Sequence, residues 1–496
     1  MAAEALTRGR VAAGFLIAAL AVLPFADLGL AGHDPWAALA RMGAAALHPD
    51  FGRIDDIFRA TGLTVAFALA GVALGGVAGV ALAPLYHLRG VRALAIALRS
   101  VHELFWALIL MQGIGLGPMT GVLALAIPYA GIFAKVFSEL LDEADPRPAA
   151  ALPPLDALTR FAWTRAPLAL RPVWSYWLYR FECGLRASAV LGFVGLPTLG
   201  YQLDSFFRLG DYSAASAILI VYVALIASIR VWMRPRLVPL WIVAAFAGLA
   251  TVTTPPMGDG AIWRALHDMV PAPLRAGDWG GLGPWLGKRL AEEVMPGLWA
   301  TLIVGQIALA LTGLIAFAAF GLVVRQVAGR AGQMAADLVL ILLRSFPEVM
   351  LAYLFLQVFG PSMLPAILAL GLHNGAIIAH LMGREAAGLA LGLRPDAPRG
   401  LTLWGWELVP RIFGPFLAFC LYRWEVILRD SAVMGLLGVA TLGFYVDSAL
   451  EELRLDRALV LLIGCGLMTA AVDQLSRRLR RRLLPATLRD VKAEGC

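Results

Sequence analysis

The chain has 496 residues, of which 60% are hydrophobic and only 15% are charged. Soluble globular proteins carry about 25% charged residues, so this composition excludes an ordinary soluble domain and indicates a chain solvated largely by lipid. The formal net charge is +7, but the cations sit at the ends of apolar segments, which is typical of membrane topology rather than of nucleic-acid binding.

The first apolar run follows a short N-terminus with two arginines and extends over about residues 11–31. A cleaved signal peptide would give a similar pattern. We favour an uncleaved first membrane helix, because the run is long enough to cross a bilayer and no clear small-residue cleavage site follows it.

Eleven further apolar runs follow, each long enough to cross a bilayer as a helix. The run at 408–440 is too long for one straight span, so we expect it to begin as a cytoplasmic or interfacial segment. We therefore predict an all-α, polytopic membrane protein with about 12 transmembrane helices. The eleven predicted spans are 60–86, 93–114, 117–140, 170–197, 212–233, 236–254, 298–324, 335–359, 362–383, 408–440 and 457–476.

Basic residues predict the orientation of these spans. If the N-terminus is cytoplasmic, every cytoplasmic connection carries Arg or Lys, and the tail from Ser476 (SRRLRRRLL) is densely basic. This distribution satisfies the positive-inside rule and places both termini in the cytoplasm. The tail could bind nucleic acid, but we favour contact with anionic lipid and expect no nucleic-acid partner.

One stretch of the chain occurs twice. Residues 178–205 and 421–448 agree at 16 of 28 positions at a constant offset of 243, and the identities include charged residues. Each half contains six predicted spans, an even number, so the two repeats enter the membrane in the same direction. We predict a first six-helix permease-like repeat at 1–235 and a second at 236–496, related in parallel.

The repeated stretch carries charges inside predicted spans, where ionisable residues usually pair or mark a substrate path. Arg180 lies near the middle of its span, and four-residue spacing allows Glu182 to pair with Arg186. Two interpretations stay open: structural ion pairs inside the bundle, or a path for anions, since Arg recognises oxyanions well. The path candidates are Arg180, Glu182, Arg186, Arg423, Glu425 and Arg429.

The third and ninth spans contain the same four-residue spacing of opposite charges, for which we favour structural pairing. We expect the lone histidines of these regions to be packing or helix-end residues rather than ligands. The repeated glycines indicate close packing or helix ends, although a gating hinge stays open. These positions are Arg99/Glu103, Arg344/Glu348, His102, His373, Gly192/Gly435 and Gly195/Gly438.

Motifs of catalysis are absent from the sequence. It contains no phosphate-binding GxxxxGK[ST] loop, no HExxH motif and no clear nucleophile–base pair, and its four cysteines show no metal-ligand spacing. We therefore expect no metal, no cofactor and no enzymatic activity in this chain. If ATP drives transport, another subunit supplies the ATPase.

At these residues the sequence resembles the phosphonate-type permeases of bacterial ABC importers. The family's Arg-x-x-Pro-Glu element occurs as Arg344–Glu348, its Gly-Leu-Gly-Pro turn as Gly115–Pro118, and its Leu-Tyr-Arg-Phe-Glu block as Leu178–Glu182. The resemblance implies a fused inner-membrane permease that imports a phosphonate or related phosphorus oxyanion. It also implies two cytoplasmic ATP-binding subunits and a periplasmic substrate-binding protein as partners.

Permeases of this family dock on the ATPase through a cytoplasmic loop between the fourth and fifth helices. The loops at 141–169 and 385–410 have the right place and sidedness, although the glycine of the family's loop motif is absent from both. The resemblance makes these residues ATPase-coupling candidates: Pro154, Leu155, Pro167, Ala397, Pro398 and Pro410.

Three other functions were weighed against this one. A permease of the same architecture could import another small solute, such as an amino acid, a vitamin or a metal complex. An ion-coupled secondary transporter would need no ATPase subunit. A membrane enzyme is disfavoured because no catalytic constellation is present.

Overall fold

The computed structural model describes residues 2–30, 34–54, 56–145, 147–150, 152, 156–255, 257–394 and 396–483. Every regular element within these ranges is a helix, as predicted. The chain divides into two compact units. The first unit is Met42–His267, and the second unit is Met1–Arg41 together with Asp268–Cys496.

The α-helices up to this division are α1 (Ala2–Val22), α2 (Pro35–Leu47), α3 (Ile57–Leu82), α4 (Arg89–Ser100), α5 (Glu103–Ile114), α6 (Pro118–Glu143), α7 (Arg147–Ala150), α8 (Ala157–Trp163), α9 (Arg165–Val190), α10 (Leu199–Arg208), α11 (Tyr212–Ala227), α12 (Ile229–Trp232), α13 (Val238–Ala250) and α14 (Ala261–Asp268). Those that follow are α15 (Ala272–Arg275), α16 (Leu282–Arg289), α17 (Met295–Ala319), α18 (Arg325–Ser345), α19 (Glu348–Phe359), α20 (Met363–Leu391), α21 (Gly400–Thr402), α22 (Val409–Val433), α23 (Leu442–Glu451) and α24 (Leu455–Leu483).

Six helical stretches of the described residues are long and apolar enough to cross a membrane, and four bent helix pairs bring the number of spans to as many as ten. The prediction of a polytopic all-α membrane protein is confirmed. The six stretches are Arg8–Phe25, Ile57–Leu85, Pro118–Glu143, Leu282–Val323, Met363–Leu391 and Leu455–Arg480.

The predicted spans 93–114 and 335–359 are not straight helices. α4 meets α5 at 94°, and α18 meets α19 at 96°. The second break has a clear cause, because Pro347 disfavours helical backbone at Phe346, which is extended. At the first break His102 is the N-cap of α5, and its Nδ1 accepts from the backbone N–H of Leu104 at 3.2 Å. The expectation for His102 as a helix-end residue is confirmed.

The predicted spans 212–233 and 236–254 are shorter in the structure. They form α11, with 16 residues, and α13, with 13 residues. Between them lie the short helix α12 and a turn around Pro235, a residue that cannot donate a helical hydrogen bond. Both helices are apolar, but each is shorter than the run of about 20 residues that a straight span needs.

A row of glycines on α3 allows α6 to approach closely in the first unit. A Cβ on Gly71 would lie 2.6 Å from Leu125 Cβ, and one on Gly75 would lie 2.8 Å from the carbonyl oxygen of Ala126. The second unit places its glycines on the other helix of the pair, since Gly375 of α20 faces α17. The glycine run at 71–79 therefore serves close helix packing.

The first apolar helix packs within the second unit. α1 lies against α17 and α22, where Phe15 contacts Trp424 edge to face at a ring distance of 4.9 Å. The side chain of Gln306 donates to the carbonyl oxygen of Phe15 at 3.1 Å. In the first unit it is α13 that packs against α3. The compact units therefore group helices differently from the chain order, and the repeat boundary at 235/236 stays a prediction.

Candidate functional site

The repeated stretch forms a bent helix pair in each unit. In the first unit the helix that begins as α9 ends at Val194 and meets α10 at 45°. In the second unit the helix that leads into α22 ends at Leu437 and meets α23 at the same angle. The fifth and eleventh predicted spans therefore end in a turn followed by a second, short helix.

Two glycines of each repeat make this turn possible. Gly195 and Gly438 adopt φ values of +95° and +86°, a region that residues with a Cβ rarely enter. A Cβ on Gly192 would collide with the backbone nitrogen of Tyr201, and one on Gly435 would collide with the equivalent nitrogen. The four glycines thus act as helix-end and close-packing residues.

A network of hydroxyl groups closes the turn in the first unit. Thr64 of α3 accepts a hydrogen bond at Oγ1 from the backbone N–H of Leu199, the first residue of α10, at 3.0 Å. Ser188 Oγ donates to the carbonyl oxygen of Thr64 at 2.8 Å, and Thr198 Oγ1 donates to Ala189 O at 3.3 Å. Thr64, Ser188 and Thr198 are fully buried, so these bonds satisfy groups that water cannot reach.

The second unit contains the same network at equivalent positions. Thr301 Oγ1 accepts from the backbone N–H of Leu442 at 3.1 Å, and Ser431 Oγ donates to Thr301 O at 3.2 Å. Thr441 Oγ1 donates to the carbonyl oxygen of Ala432 at 2.9 Å. The sequence repeat contained the serines and threonines, but only their contacts with α3 and α17 show what they do.

Arg180 is held among aromatic rings of the first unit. Its Nε and Nη2 donate to the Tyr176 hydroxyl at 2.7 and 2.5 Å. Its guanidinium carbon lies 5.0 Å from the centroid of that ring and 5.7 Å from the Tyr179 centroid, a cation–π arrangement. Phe133 and Phe137 pack edge to face against Tyr176. The aromatic cluster therefore fixes the planar donors of a cation inside a membrane helix.

Arg423, the counterpart of Arg180, is 5% exposed and contacts an amide of α20. Its Nη1 donates to Asn374 Oδ1 at 3.3 Å. The Asn374 Nδ2 donates to the carbonyl oxygen of Leu370 at 2.9 Å, which turns the amide oxygen toward the arginine. Sequence analysis missed Asn374, although a buried amide in the middle of an apolar helix was itself a signal.

Three of the other four path candidates take part in ion pairs of the described residues. The predicted pair of Glu182 with Arg186 is present, with Nη2 and Oε1 3.0 Å apart. In the second unit Arg429 Nε lies 3.4 Å from Asp430 Oδ1. Pairing of Glu425 with Arg429 stays a prediction, as does any role of these residues in a path.

The third and ninth predicted spans are bent at the residues for which helical pairing is expected. Arg99 lies in the last turn of α4 and Glu103 begins α5, so the 94° bend lies between residues that a straight helix would have placed one turn apart. Arg344 and Glu348 flank the equivalent bend. Glu348 Oε2 lies 3.4 Å from His373 Nε2 of α20. Pairing of Arg99 with Glu103 and of Arg344 with Glu348 stays a prediction.

Four of the six ATPase-coupling candidates can be located, while Pro154 and Leu155 lie outside the described residues. Pro167 stands in the first turn of α9, where a missing N–H costs no helical hydrogen bond. Pro410 stands near the start of α22, inside the continuous helical stretch Gly400–Leu437 and directly after its π-helical turn Leu403–Leu408. Ala397 and Pro398 lie in the connection between α20 and α21.

Each of these connections exposes a leucine–tryptophan pair, among other side chains. Leu158 and Trp163 are 76% and 77% exposed, and Leu401 and Trp406 are both 80% exposed. The four residues are equivalent at the repeat offset of 243. Large apolar side chains exposed at matching places are typical of a docking surface. The sequence alone did not predict this surface, because a residue's apolar character does not show whether it is exposed.

The short helix α8 presents the first of these surfaces. Asp156 caps it, with Oδ2 accepting from the backbone N–H of Thr159 at 2.9 Å. This bond, together with the Thr159 hydroxyl, holds the pKa of Asp156 below its usual range. The cap therefore stays ionised at neutral pH and stabilises the start of α8.

Two curated proteins resemble the chain over much of their length. The phosphate-import permease protein PhnE of Mycolicibacterium smegmatis is 26% identical over 472 aligned residues, which cover 87% of each chain. The phosphite transport system permease protein PtxC of Stutzerimonas stutzeri is 31% identical over 202 residues, 38% of this chain and 72% of the relative. The chain belongs to the phosphonate-type permeases of ABC importers. No family model and no solved structure matches it.

Membership of this family accounts for the main features of the permease. It is a multi-pass membrane protein, and it is a transport subunit rather than an enzyme. Because the same aligned residues are 38% of the permease but 72% of the phosphite relative, that relative is about half as long.

Proposed function

We propose that the permease carries a small phosphorus oxyanion, such as a phosphonate, phosphite or phosphate, into the cytoplasm. The observation that carries this proposal is the match to a phosphate-import permease over 87% of both chains. A second relative is named for phosphite transport. Phosphate and phosphite share a tetrahedral phosphorus with charged oxygens, and a site that accepts one presents the donors that the others need.

Arg180 and Arg423 are the residues that contact the oxyanion in this proposal. Both sit in the repeated helix inside the membrane, where a charged side chain usually marks a substrate path. The Tyr176 hydroxyl accepts a hydrogen bond from Arg180, and Asn374 Oδ1 accepts one from Arg423. A fixed planar guanidinium matches the oxygens of a phosphorus oxyanion in pairs. The ion pair of Glu182 with Arg186 has a structural role instead.

Two permeases fused in one chain explain the duplication. The half-length phosphite relative corresponds to one repeat, and equivalent bends of 94° and 96° and of 45° and 45° occur in both halves. The first repeat then covers 1–235 and the second covers 236–496. The hydroxyl network and the exposed Leu–Trp pair both occur in each repeat, as expected if the two repeats arose from one permease.

Two cytoplasmic ATP-binding subunits dock on the exposed Leu–Trp pairs. Leu158 with Trp163 and Leu401 with Trp406 lie on the connections that the positive-inside rule places in the cytoplasm. Trp is the residue most enriched among those that dominate binding energy at interfaces. Two equivalent surfaces on one chain fit two equivalent ATPase subunits.

The remaining parts of the proposal concern location and delivery. The permease lies in the bacterial inner membrane with both termini cytoplasmic, because the basic tail and the basic short connections then fall on one side. A periplasmic binding protein delivers the oxyanion to the opposite side.

The test of the arginines is the double variant Arg180→Gln, Arg423→Gln in the complete transport complex. ATP-driven uptake of the oxyanion should fall to background while the ATPase subunits still co-purify with the permease. Arg53→Gln is the matched control, since Arg53 is an exposed arginine outside the spans and its loss should leave uptake unchanged. Loss of assembly in the double variant would assign the arginines a structural role and refute this part of the proposal.

A further inference from the structure

The hydroxyl network joins three helices at one residue in each unit. Thr64 Oγ1 donates to the carbonyl oxygen of Ala60 at 2.7 Å, as a helical threonine commonly does. The same oxygen accepts from Leu199 at the start of α10, and the Thr64 carbonyl accepts from Ser188 of α9. Thr301 has the same three contacts in the second unit. Each threonine therefore connects both helices of a bent pair to its own helix, α3 in the first unit and α17 in the second.

The turn itself has little freedom to flex. One glycine of each turn, Gly192 in the first unit and Gly435 in the second, sits where a Cβ would collide with backbone atoms. Backbone atoms that touch at van der Waals distance leave no room for the angle between the two arms to close further. A backbone N–H released from its threonine would be buried and unsatisfied, which opposes opening of the turn as well.

We propose that Thr64 and Thr301 are positioning residues that hold each turn against α3 in the first unit and against α17 in the second. In the first unit α3, α9 and α10 then move as one rigid body during the transport cycle, and in the second unit α17, α22 and α23 do the same. The glycine-containing turns are elbows of fixed angle rather than hinges. Movement between the states of the permease occurs elsewhere in the chain. This inference holds whichever solute is carried.

Distance measurements by pulsed electron paramagnetic resonance test the rigid bodies directly. Spin labels are placed at Phe58 of α3 and Tyr201 of α10, and at the equivalent pair Met295 and Phe444, in a cysteine-free background. All four side chains are at least 42% exposed, so the labels fit without repacking. The full complex is measured without nucleotide and with ATP trapped. A pair that combines Tyr201 with Phe444 shows whether the complex has changed state.

The expected result is a change for the Tyr201–Phe444 pair, with the two distances inside the units constant to within about 2 Å, the size of a loop rearrangement. A larger change in either distance inside a unit would show that the turn is a hinge and would overturn the proposal. If all three distances stay constant, neither group of three helices moves relative to the other during the transport cycle. That result would refute the proposal that each group moves as a rigid body.

Substitution of the threonines provides a second, independent test. Thr64→Val and Thr301→Val remove the hydroxyl at constant shape and should broaden the distance distribution inside the affected unit. The maximal uptake rate should fall by about tenfold, the equivalent of one buried hydrogen bond, with the KM for uptake unchanged. Thr64→Ser and Thr301→Ser keep the hydroxyl and should restore both properties.

Two threonines of the same helices serve as matched controls. Thr61 of α3 donates only to the Ile57 carbonyl four residues earlier, and the fully buried Thr312 hydroxyl of α17 has no hydrogen-bond partner among the described residues. Thr61→Val and Thr312→Val should leave the distances and the uptake rate at the wild-type values. If these controls impair uptake as strongly as Thr64→Val, the effect belongs to threonine loss in general and the positioning role is refuted.

Discussion

The exposed tryptophans give the sharpest prediction about assembly. A buried Trp covers about 150–250 Å², which at about 25 cal/mol per Å² corresponds to about 4–6 kcal/mol. Trp163 is still 77% exposed in the permease and Trp406 is 80% exposed, so most of this free energy is available to a partner. The entropy and desolvation costs of association offset part of this free energy. We therefore expect each tryptophan to contribute about 2 kcal/mol, the value from which an interface residue counts as dominant.

Trp163→Ala and Trp406→Ala should therefore each weaken binding of an ATP-binding subunit at least about 30-fold. The permease itself should lose no more than about 0.5 kcal/mol of stability, because each side chain is exposed. Binding of the co-purifying ATPase subunit to immobilised permease measures the affinity, and thermal unfolding checks the fold. Trp279→Ala is the matched control, since Trp279 is 78% exposed on a segment predicted to face the other side. Wild-type affinity in both test variants, or an equal loss in the control, would refute the docking surface.

Two further predictions concern stability. Gly75→Ala should destabilise the first unit by about 1–3 kcal/mol through overpacking against α6, which lowers Tm by roughly 2–4 °C per kcal/mol. The control is Gly62→Ala on the same helix, where a Cβ meets no atom within 4 Å and should not lower Tm. Equal Tm values for the two variants would contradict the close crossing of α3 and α6. The Arg53 guanidinium and the backbone N–H of Ala214 hold the pKa of Asp211 below its usual range. The ionised carboxylate therefore stabilises the folded state fully above about pH 4, and this stabilisation is lost as pH falls through the lowered pKa. Asp211→Asn should lower the free energy of unfolding by at most about 1 kcal/mol, because Arg53 is largely exposed. The variant should also lose this acid sensitivity when chemical unfolding is followed from pH 6 to pH 3. An unchanged pH profile would show that the ion pair contributes nothing to stability.

Hydropathy and the internal repeat predicted much of the fold. Apolar runs of about 20 residues placed the helices that are long and uninterrupted, such as α3, α6 and α20, because a span and its sequence pattern have the same length. The pattern could not reveal the bends near His102 and Pro347. A hydropathy profile reports which residues are apolar, and it is the same for a straight helix and for two helices that meet at a right angle.

The candidate site was predictable only where partners are close in sequence. Glu182 and Arg186 lie one turn apart, so helical spacing alone predicted their contact. Asn374 lies 49 residues before Arg423, and Thr64 lies 135 residues before Leu199, so their contacts depend on how helices pack. Trp163 and Trp406 occupy equivalent positions of the two repeats, but a sequence does not show that their side chains are exposed.

Uptake into proteoliposomes tests most directly whether the permease moves a phosphorus oxyanion. Proteoliposomes that contain the complete complex, with ATP inside and the binding protein outside, allow uptake to be measured for phosphonate, phosphite, phosphate, an amino acid and a vitamin. We expect ATP-dependent accumulation of at least one phosphorus oxyanion, and no accumulation of the amino acid or the vitamin. Accumulation of the amino acid or the vitamin, without any phosphorus oxyanion, would contradict it.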